Sequence, residues 1–338
     1  MFPFISSREI LNLVLPYCNP ALLSKDSLKQ IISGVDKIQG SASSIVLECR
    51  ILPRIEQVDI ALCFAKYEGT NFQFKSWLNS FSNGMFPNST ILTSIVKDLD
   101  SLIQSNQSIH AIWLEYDGST SGIDSSKLPS IFVSYKKEYN YSNIFETADA
   151  LELIFSKYNF LQIDISAFKN ALSAFNSLGR VRHIGILFSR DPIILRLCVE
   201  MNTENIVEFL RQLNWTGNFD LLKELISTSD NHSLVSLNLD FSDKLGKRIG
   251  LEFGSNRDGV RRDYDNFYQN LLSKGLCNAE QYNALNEWVG TSTEFIPILS
   301  IPLYLKREIS HIKIDVCDSQ ISTKAYLWVG VRGIVSSM

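Results

Sequence analysis

Two neighbouring stretches of the chain, between Leu234 and Phe253, alternate apolar and polar side chains. The apolar positions are Val235, Leu237, Leu239 and Phe241 in the first stretch and Ile249, Leu251 and Phe253 in the second. A period of two residues places the apolar side chains on one face of a β-strand and the polar side chains on the other. Residues 242–247 between the stretches are rich in turn formers, so the pattern predicts an antiparallel hairpin with one apolar and one polar face.

The same hairpin pattern occurs five times, beginning near residues 44, 110, 183, 234 and 310. Segments with helical periodicity separate the copies. One segment carries an apolar stripe formed by Leu92, Ile95, Val96, Leu99, Leu102 and Ile103. Another places Phe168, Leu172 and Phe175 on one face, with Gly179 as a stop after its end. The chain therefore predicts five αββα repeats.

Hairpins force neighbouring strands to pair antiparallel, which argues against the parallel sheet that alternating helices and strands usually form. Ten strands with one apolar face each can bury those faces under helices on one side of the sheet. The polar face is then left uncovered unless the sheet closes and turns that face into a lumen. We therefore predict an α+β fold, with residues 1–338 forming one domain: a ten-stranded antiparallel β-barrel with helices outside. Two open α+β sandwiches are the alternative.

The composition narrows the class of protein. Hydrophobic residues make up 45% and charged residues 20% of the chain, which is typical of a globular protein. The net charge of −4 disfavours a nucleic-acid binder. The six cysteines are scattered without C-x-x-C spacing, which indicates free thiols in the reducing cytoplasm. The longest apolar run, residues 295–305, is too short to span a bilayer and holds two prolines, so we expect no membrane segment.

Three segments resemble a known family. They are Cys-Arg-Ile at residues 49–51 on the first predicted strand, the third hairpin with its following helix, and Tyr-Leu-Trp-Val-Gly at residues 326–330. Together with the five αββα repeats, they resemble the ABBA prenyltransferases, in particular the smaller members that modify cyanobactin peptides. The resemblance implies transfer of a dimethylallyl or geranyl group from an isoprenoid diphosphate to an aromatic or other nucleophilic side chain of a peptide or small molecule.

The polar face of the predicted barrel carries residue types that suit this chemistry. Cations must surround the leaving diphosphate because negative charge develops on its oxygens, and those predicted to do so are Arg50, Lys136, Arg196, Lys313 and Lys324. Aromatic faces must shield the allylic cation, and those with the right parity are Tyr67, Trp113, Tyr326 and Trp328. Glu48, beside Arg50, is predicted to be the general base that deprotonates the acceptor. The resemblance to the cyanobactin enzymes also implies a base on the first strand. A register two residues earlier would place Val46 at the position of that base.

Carboxylates outnumber the five cations on this face. They are Glu48, Asp59, Glu115, Asp117, Glu200, Asp240, Glu252 and Asp315. Either a magnesium ion bridges carboxylates to the diphosphate, with Glu115, Asp240 and Glu252 as predicted ligands, or the acids pair with the cations, or the barrel has lost or changed its donor. The last case leaves two alternatives: a barrel that binds a cationic peptide or small molecule without prenyl chemistry, and a different peptide-modifying enzyme.

Other chemistries find little support in the sequence. There is no Walker phosphate loop, no G-x-G-x-x-G after a strand, no H-E-x-x-H and no G-x-S-x-G. A group of basic residues near the fourth hairpin is either a solvated surface or an entrance that steers an anionic donor. Its members are Lys244, Lys247, Arg248, Arg257, Arg261 and Arg262.

Overall fold

The structure is a computed structural model. It describes residues 5–35, 42–65, 89–119, 122–123, 128–138, 141–157, 165–175, 178–227, 234–254, 264–296 and 301–333. Thirteen strands occur in this part of the chain. They are β1 (Ser44–Leu52), β2 (Ile55–Ala65), β3 (Ile109–Tyr116), β4 (Gly118–Ser119), β5 (Gly122–Ile123), β6 (Ser130–Tyr135), β7 (Gly179–Leu187), β8 (Ile194–Asn202), β9 (Leu234–Phe241), β10 (Leu245–Gly254), β11 (Gly290–Ile296), β12 (Ile301–Cys317) and β13 (Gln320–Gly333).

Ten of these strands close into an antiparallel barrel, as predicted. Hydrogen-bonded neighbours follow the order β10-β9-β8-β7-β6-β3-β2-β1-β13-β12. The ring is completed by antiparallel pairing of β10 with β12, in which Leu251 lies opposite Ile314. Because every strand of the ring has two partners, the barrel has no open edge and its polar face becomes a lumen.

Strand β11 was not predicted. It pairs with the first half of β12, from Gly290 opposite Arg307 to Ile296 opposite Ile301. Residues 295–305 show only an apolar run and no strand alternation. Hydrogen bonding to β11 and β13 nevertheless makes this segment a strand, so β12 begins at Ile301 rather than near residue 310.

Nine α-helices lie in the described part of the chain. They are α1 (Ser7–Val14), α2 (Lys25–Val35), α3 (Ser89–Ser105), α4 (Ser142–Lys157), α5 (Ser166–Phe175), α6 (Thr203–Gln212), α7 (Phe219–Ser227), α8 (Tyr264–Ser273) and α9 (Ala279–Trp288). Two of them begin with capping boxes, in which Ser6 and Glu9 cap α1 and Asn278 and Gln281 cap α9.

The main hydrophobic core lies between these helices and the outer face of the barrel. On strands β9 and β10, Leu239 and Leu251 are fully buried. Aromatic rings connect the two layers: the ring centroids of Phe168 on α5 and Phe241 on β9 are 5.6 Å apart, and those of Phe267 on α8 and Phe253 on β10 are 5.2 Å apart. Burying each such side chain contributes about 1.5–3 kcal/mol. The alternating pattern therefore directs apolar side chains outward, towards the helices.

Candidate active site

Described residues line two cavities along the barrel axis. The mouth cavity, of about 640 Å³, lies at the end where the β1–β2, β7–β8, β9–β10 and β12–β13 turns meet. The inner cavity, of about 100 Å³, lies farther along the strands from these turns and is lined by Trp113, Phe132 and Tyr326 together with polar residues. Arg196 borders both cavities. The Arg196 side chain therefore lies at the boundary between the two cavities.

The mouth cavity is lined by six cations, Arg50, Arg190, Arg196, Lys247, Arg248 and Lys324. Asp240 lines it as well. Each cation has a carboxylate partner: Arg50–Asp59 at 2.7 Å, Arg190–Asp117 at 3.6 Å, Arg196–Asp240 at 2.6 Å, Lys247–Asp318 at 3.3 Å, Arg248–Asp315 at 2.5 Å and Lys324–Glu48 at 2.5 Å. The sequence left three explanations for the excess of carboxylates over cations. One of them, pairing of the carboxylates with the cations, is present in the structure.

Four of the five predicted diphosphate ligands lie in the lumen. Arg50, Arg196 and Lys324 line the mouth cavity, and Lys313, which is 2% exposed, lines the inner cavity. The expected lumen position of Lys136 is wrong, because β6 ends at Tyr135 and the exposed Lys136 lies beyond it. The alternating pattern continued past the end of the strand, so sequence parity alone could not exclude Lys136.

Glu48 lies in the lumen as predicted, but its surroundings make it a weak base. Its Oε1 is 2.5 Å from the Lys324 ammonium, and Tyr326 donates a hydrogen bond to its other oxygen. Burial by itself raises the pKa of Glu48, but attraction and hydrogen bonding from Lys324, together with Tyr326, hold that pKa well below its usual range. A carboxylate held so strongly in its ionised form has little tendency to accept a proton.

Glu115 has the opposite character. It lines the inner cavity beside Trp113. Burial, and second the charge of Glu48, raise the pKa of Glu115 to about 7. The same two causes raise the pKa of Asp59 to about 7, but Asp59 is bound by Arg50 and by the backbone N–H of Gly118. Glu115 is therefore the carboxylate whose position and pKa suit a general base at neutral pH.

Two of the four predicted shielding aromatics line the inner cavity, Trp113 and Tyr326. Tyr67 lies outside the described residues. Trp328 is absent from the linings of both cavities, and its ring instead packs over Gly330, where a Cβ would lie 2.2 Å from the ring.

Three further rings of the inner cavity, Phe132, His183 and His311, were not among the predicted site residues. Phe132 lines it and packs over Gly185, where a Cβ would lie 2.5 Å from the ring. His311 stacks on Tyr326, with ring centroids 3.9 Å apart. His311 shares the lumen face with Lys313, as alternation with Ile312 predicts, and a bulge between Ile309 and His311 keeps Ile309 in the core. The apolar residue Phe132 on a polar face was the signal available in the sequence.

The three predicted magnesium ligands do not form a metal site. Asp240 binds Arg196 through both of its oxygens. Glu252 accepts a hydrogen bond from Asn238 and lies 3.8 Å from Nε2 of His311. Within the described ranges, no three His, Cys, Asp or Glu side chains converge so as to hold a metal ion. This donor set does not fit magnesium, which stays a prediction.

The closed ten-stranded barrel with outer helices is the fold of the ABBA prenyltransferases, which confirms the fold that the resemblance implied. Crystal structures of the prenyltransferase PriB match the chain over 96% of both proteins: the apo form with a TM-score of 0.57 at 11% identity, the complex with product diphosphate with 0.56 at 11%, and the complex with L-tryptophan and dimethylallyl thiolodiphosphate with 0.56 at 10%. No protein-family model and no curated protein matches the sequence. Among the described helices, none is long and apolar enough to cross a membrane.

Proposed function

We propose that the protein is a prenyltransferase that moves a dimethylallyl or geranyl group from an isoprenoid diphosphate to an aromatic or other nucleophilic group of a peptide or small molecule. One observation carries the proposal: a cavity lined by six cations meets an aromatic cavity at Arg196 inside a closed barrel. The solved structures of PriB, which has the same fold, hold diphosphate and L-tryptophan.

The mouth cavity suits the diphosphate group of the donor. The guanidinium groups of Arg196 and Arg248 and the ammonium of Lys324 line it together. Guanidinium groups bind phosphate oxygens through paired N–H donors, and fixed cations stabilise the charge that develops on the leaving group. With the diphosphate at this level, the prenyl chain points towards the inner cavity.

The inner cavity suits the allylic cation. The rings of Trp113, Phe132 and Tyr326 line it, and aromatic faces attract a positive charge through their quadrupole. The closed barrel wall limits access of water to the cation, which would otherwise be hydrolysed. The bond between C1 of the donor and the diphosphate oxygen breaks, and a bond forms between C1 and the acceptor.

Glu115 then takes the proton that the acceptor loses, and inorganic diphosphate leaves. This assignment replaces Glu48 as the base because the pKa of Glu115 is raised to about 7, whereas that of Glu48 is held low. Glu115 must be ionised to accept a proton, so we expect the rate of transfer to rise with pH through about 7.

The test is incubation of the protein with aromatic amino acids or short peptides and with dimethylallyl or geranyl diphosphate, followed by mass spectrometry. The expected result is a gain of one prenyl group, lost in Arg196→Gln. Arg180→Gln is the matched control, because Arg180 pairs with Glu200 at 2.7 Å and lines neither cavity. Absence of transfer with every donor and acceptor contradicts the proposal. Repeating the assay with EDTA tests the predicted magnesium.

The alternative is a barrel that binds a cationic peptide or small molecule without prenyl chemistry. It is favoured by the pairing of every cation of the mouth cavity with a carboxylate. Calorimetric titration distinguishes the two functions, because the prenyltransferase binds inorganic diphosphate and the alternative does not.

A further inference from the structure

Arg196 and Asp240 form a paired hydrogen bond within the mouth cavity. Nε and Nη2 of Arg196 donate to the two oxygens of Asp240 at 2.6 and 2.8 Å. Both side chains line the cavity, and they are only 13% and 14% exposed. Among the residues that line this cavity, Asp240 is the one carboxylate. The other five carboxylates that pair with its cations do not line it.

Asp240 thus occupies the edge of Arg196 that a phosphate group would use. A guanidinium group offers two parallel N–H donors to carboxylates and phosphates with the same geometry. Burial by itself raises the pKa of Asp240, but Arg196, Lys313 and Arg248 outweigh it and lower that pKa. Asp240 is therefore an ionised carboxylate at a position where several cations attract a negative charge.

We propose that Asp240 is a built-in occupant of the donor's anion position, and that the diphosphate displaces it from Arg196 on binding. The inference rests on the proposed function, because it takes the mouth cavity to be the diphosphate site. Asp315 does not line the cavity, but it pairs with a cation that does, Arg248, at 2.5 Å, and lies 3.9 Å from Lys324. Asp240 keeps the buried Arg196 paired while no donor is bound, since an unpaired buried charge is costly.

The opposite role for Asp240 is that of a positioning residue, which would hold Arg196 in the orientation that the diphosphate needs. The two roles predict changes of opposite sign. A displaced competitor weakens donor binding, so its removal tightens binding. A positioning partner strengthens donor binding, so its removal weakens binding. The Asp240→Asn variant, which keeps the size of the side chain and removes its charge, separates them.

The experiment is isothermal titration of the full-length protein with inorganic diphosphate. We expect Asp240→Asn to bind about tenfold more tightly than the wild type, which corresponds to about 1.4 kcal/mol. The control is Glu200→Gln, since Glu200 lies on β8, the strand that carries Arg196, and pairs with Arg180 but lines neither cavity. Its affinity should equal that of the wild type. Equal or weaker binding by Asp240→Asn overturns the inference.

A second variant covers the case in which Asp240→Asn does not fold. Asp315→Asn removes the nearest carboxylate of Arg248, whose side chain is 44% exposed, and a more distant one of Lys313 and Lys324 at 3.8 and 3.9 Å; Lys324 keeps Glu48 at 2.5 Å. Inorganic diphosphate should raise the melting temperature of this variant by more than that of the wild type, and an equal or smaller rise counts against the inference. If the wild type binds diphosphate but neither variant binds it more tightly, only this inference fails. If none of the proteins binds diphosphate, the proposed function fails with it.

Discussion

Replacing Glu115 by glutamine tests the electrostatics of the lumen independently of the substrate. Glutamine has nearly the same size as glutamate and cannot ionise. The pKa of Glu115 is raised from 4.5, the ordinary value for glutamate, to about 7, first by burial and second by the charge of Glu48. The difference between these two values corresponds to roughly 3 kcal/mol that the wild type loses when Glu115 is ionised in the folded state.

The pH dependence of this loss has a definite sign. Below pH 4.5 Glu115 is protonated in both the folded and the unfolded protein, so its ionisation costs nothing. Between pH 4.5 and about 7 the unfolded chain releases the proton while the folded protein retains it, so wild-type stability falls. Above about pH 7 the loss is complete. The stability advantage of Glu115→Gln should therefore open above pH 4.5 and level off above about 7.

Urea unfolding at pH 4.5, 6 and 8, followed by tryptophan fluorescence, measures this difference. Glu48→Gln should lose stability relative to the wild type by the same amount at pH 6 and 8, and the loss should shrink only as the pH falls below 4.5, because the pKa of Glu48 is lowered from that value in the folded protein. Glu115→Gln should also slow prenyl transfer about 10²–10⁴-fold while it still binds inorganic diphosphate. A stability difference that stays constant with pH would refute the assignment of Glu115 as the carboxylate with the raised pKa.

Three further predictions concern the packing and charge of the lumen. Gly250→Ala should lower the free energy of unfolding by about 1–3 kcal/mol, because a Cβ there would lie 2.4 Å from Cε of Lys313. The control is Gly254→Ala, where a Cβ would have its nearest neighbour at 3.8 Å, and its free energy of unfolding in the same urea assay should be close to that of the wild type. Phe132→Ala should enlarge the inner cavity and increase transfer from geranyl relative to dimethylallyl diphosphate in a competition assay, and an unchanged ratio would contradict this. Lys136→Ala should leave the steady-state transfer rate unchanged, since Lys136 is exposed outside the barrel.

The alternation of side chains along the chain was enough to predict the ten barrel strands and the face that each turns towards the helices. A strand has only two faces, so a period of two assigns every residue to one of them. That is why Arg50, Arg196 and Lys324 were placed correctly in the lumen. The same pattern predicted that the sheet closes. Closing the sheet into a barrel both encloses its polar face and removes its open edges.

The position of each residue along the barrel axis, and the partner it meets there, depended on tertiary structure. Alternation placed Glu48 and Glu115 on the same face of the barrel. The approach of Lys324 and Tyr326 lowers the pKa of Glu48, whereas burial and the charge of Glu48 raise the pKa of Glu115. The end of β6 decided that Lys136 lies beyond the lumen, and the bulge between Ile309 and His311 decided that Ile309 lies in the core. These outcomes depend on distances between residues far apart in the chain, which a local pattern of polar and apolar positions does not encode.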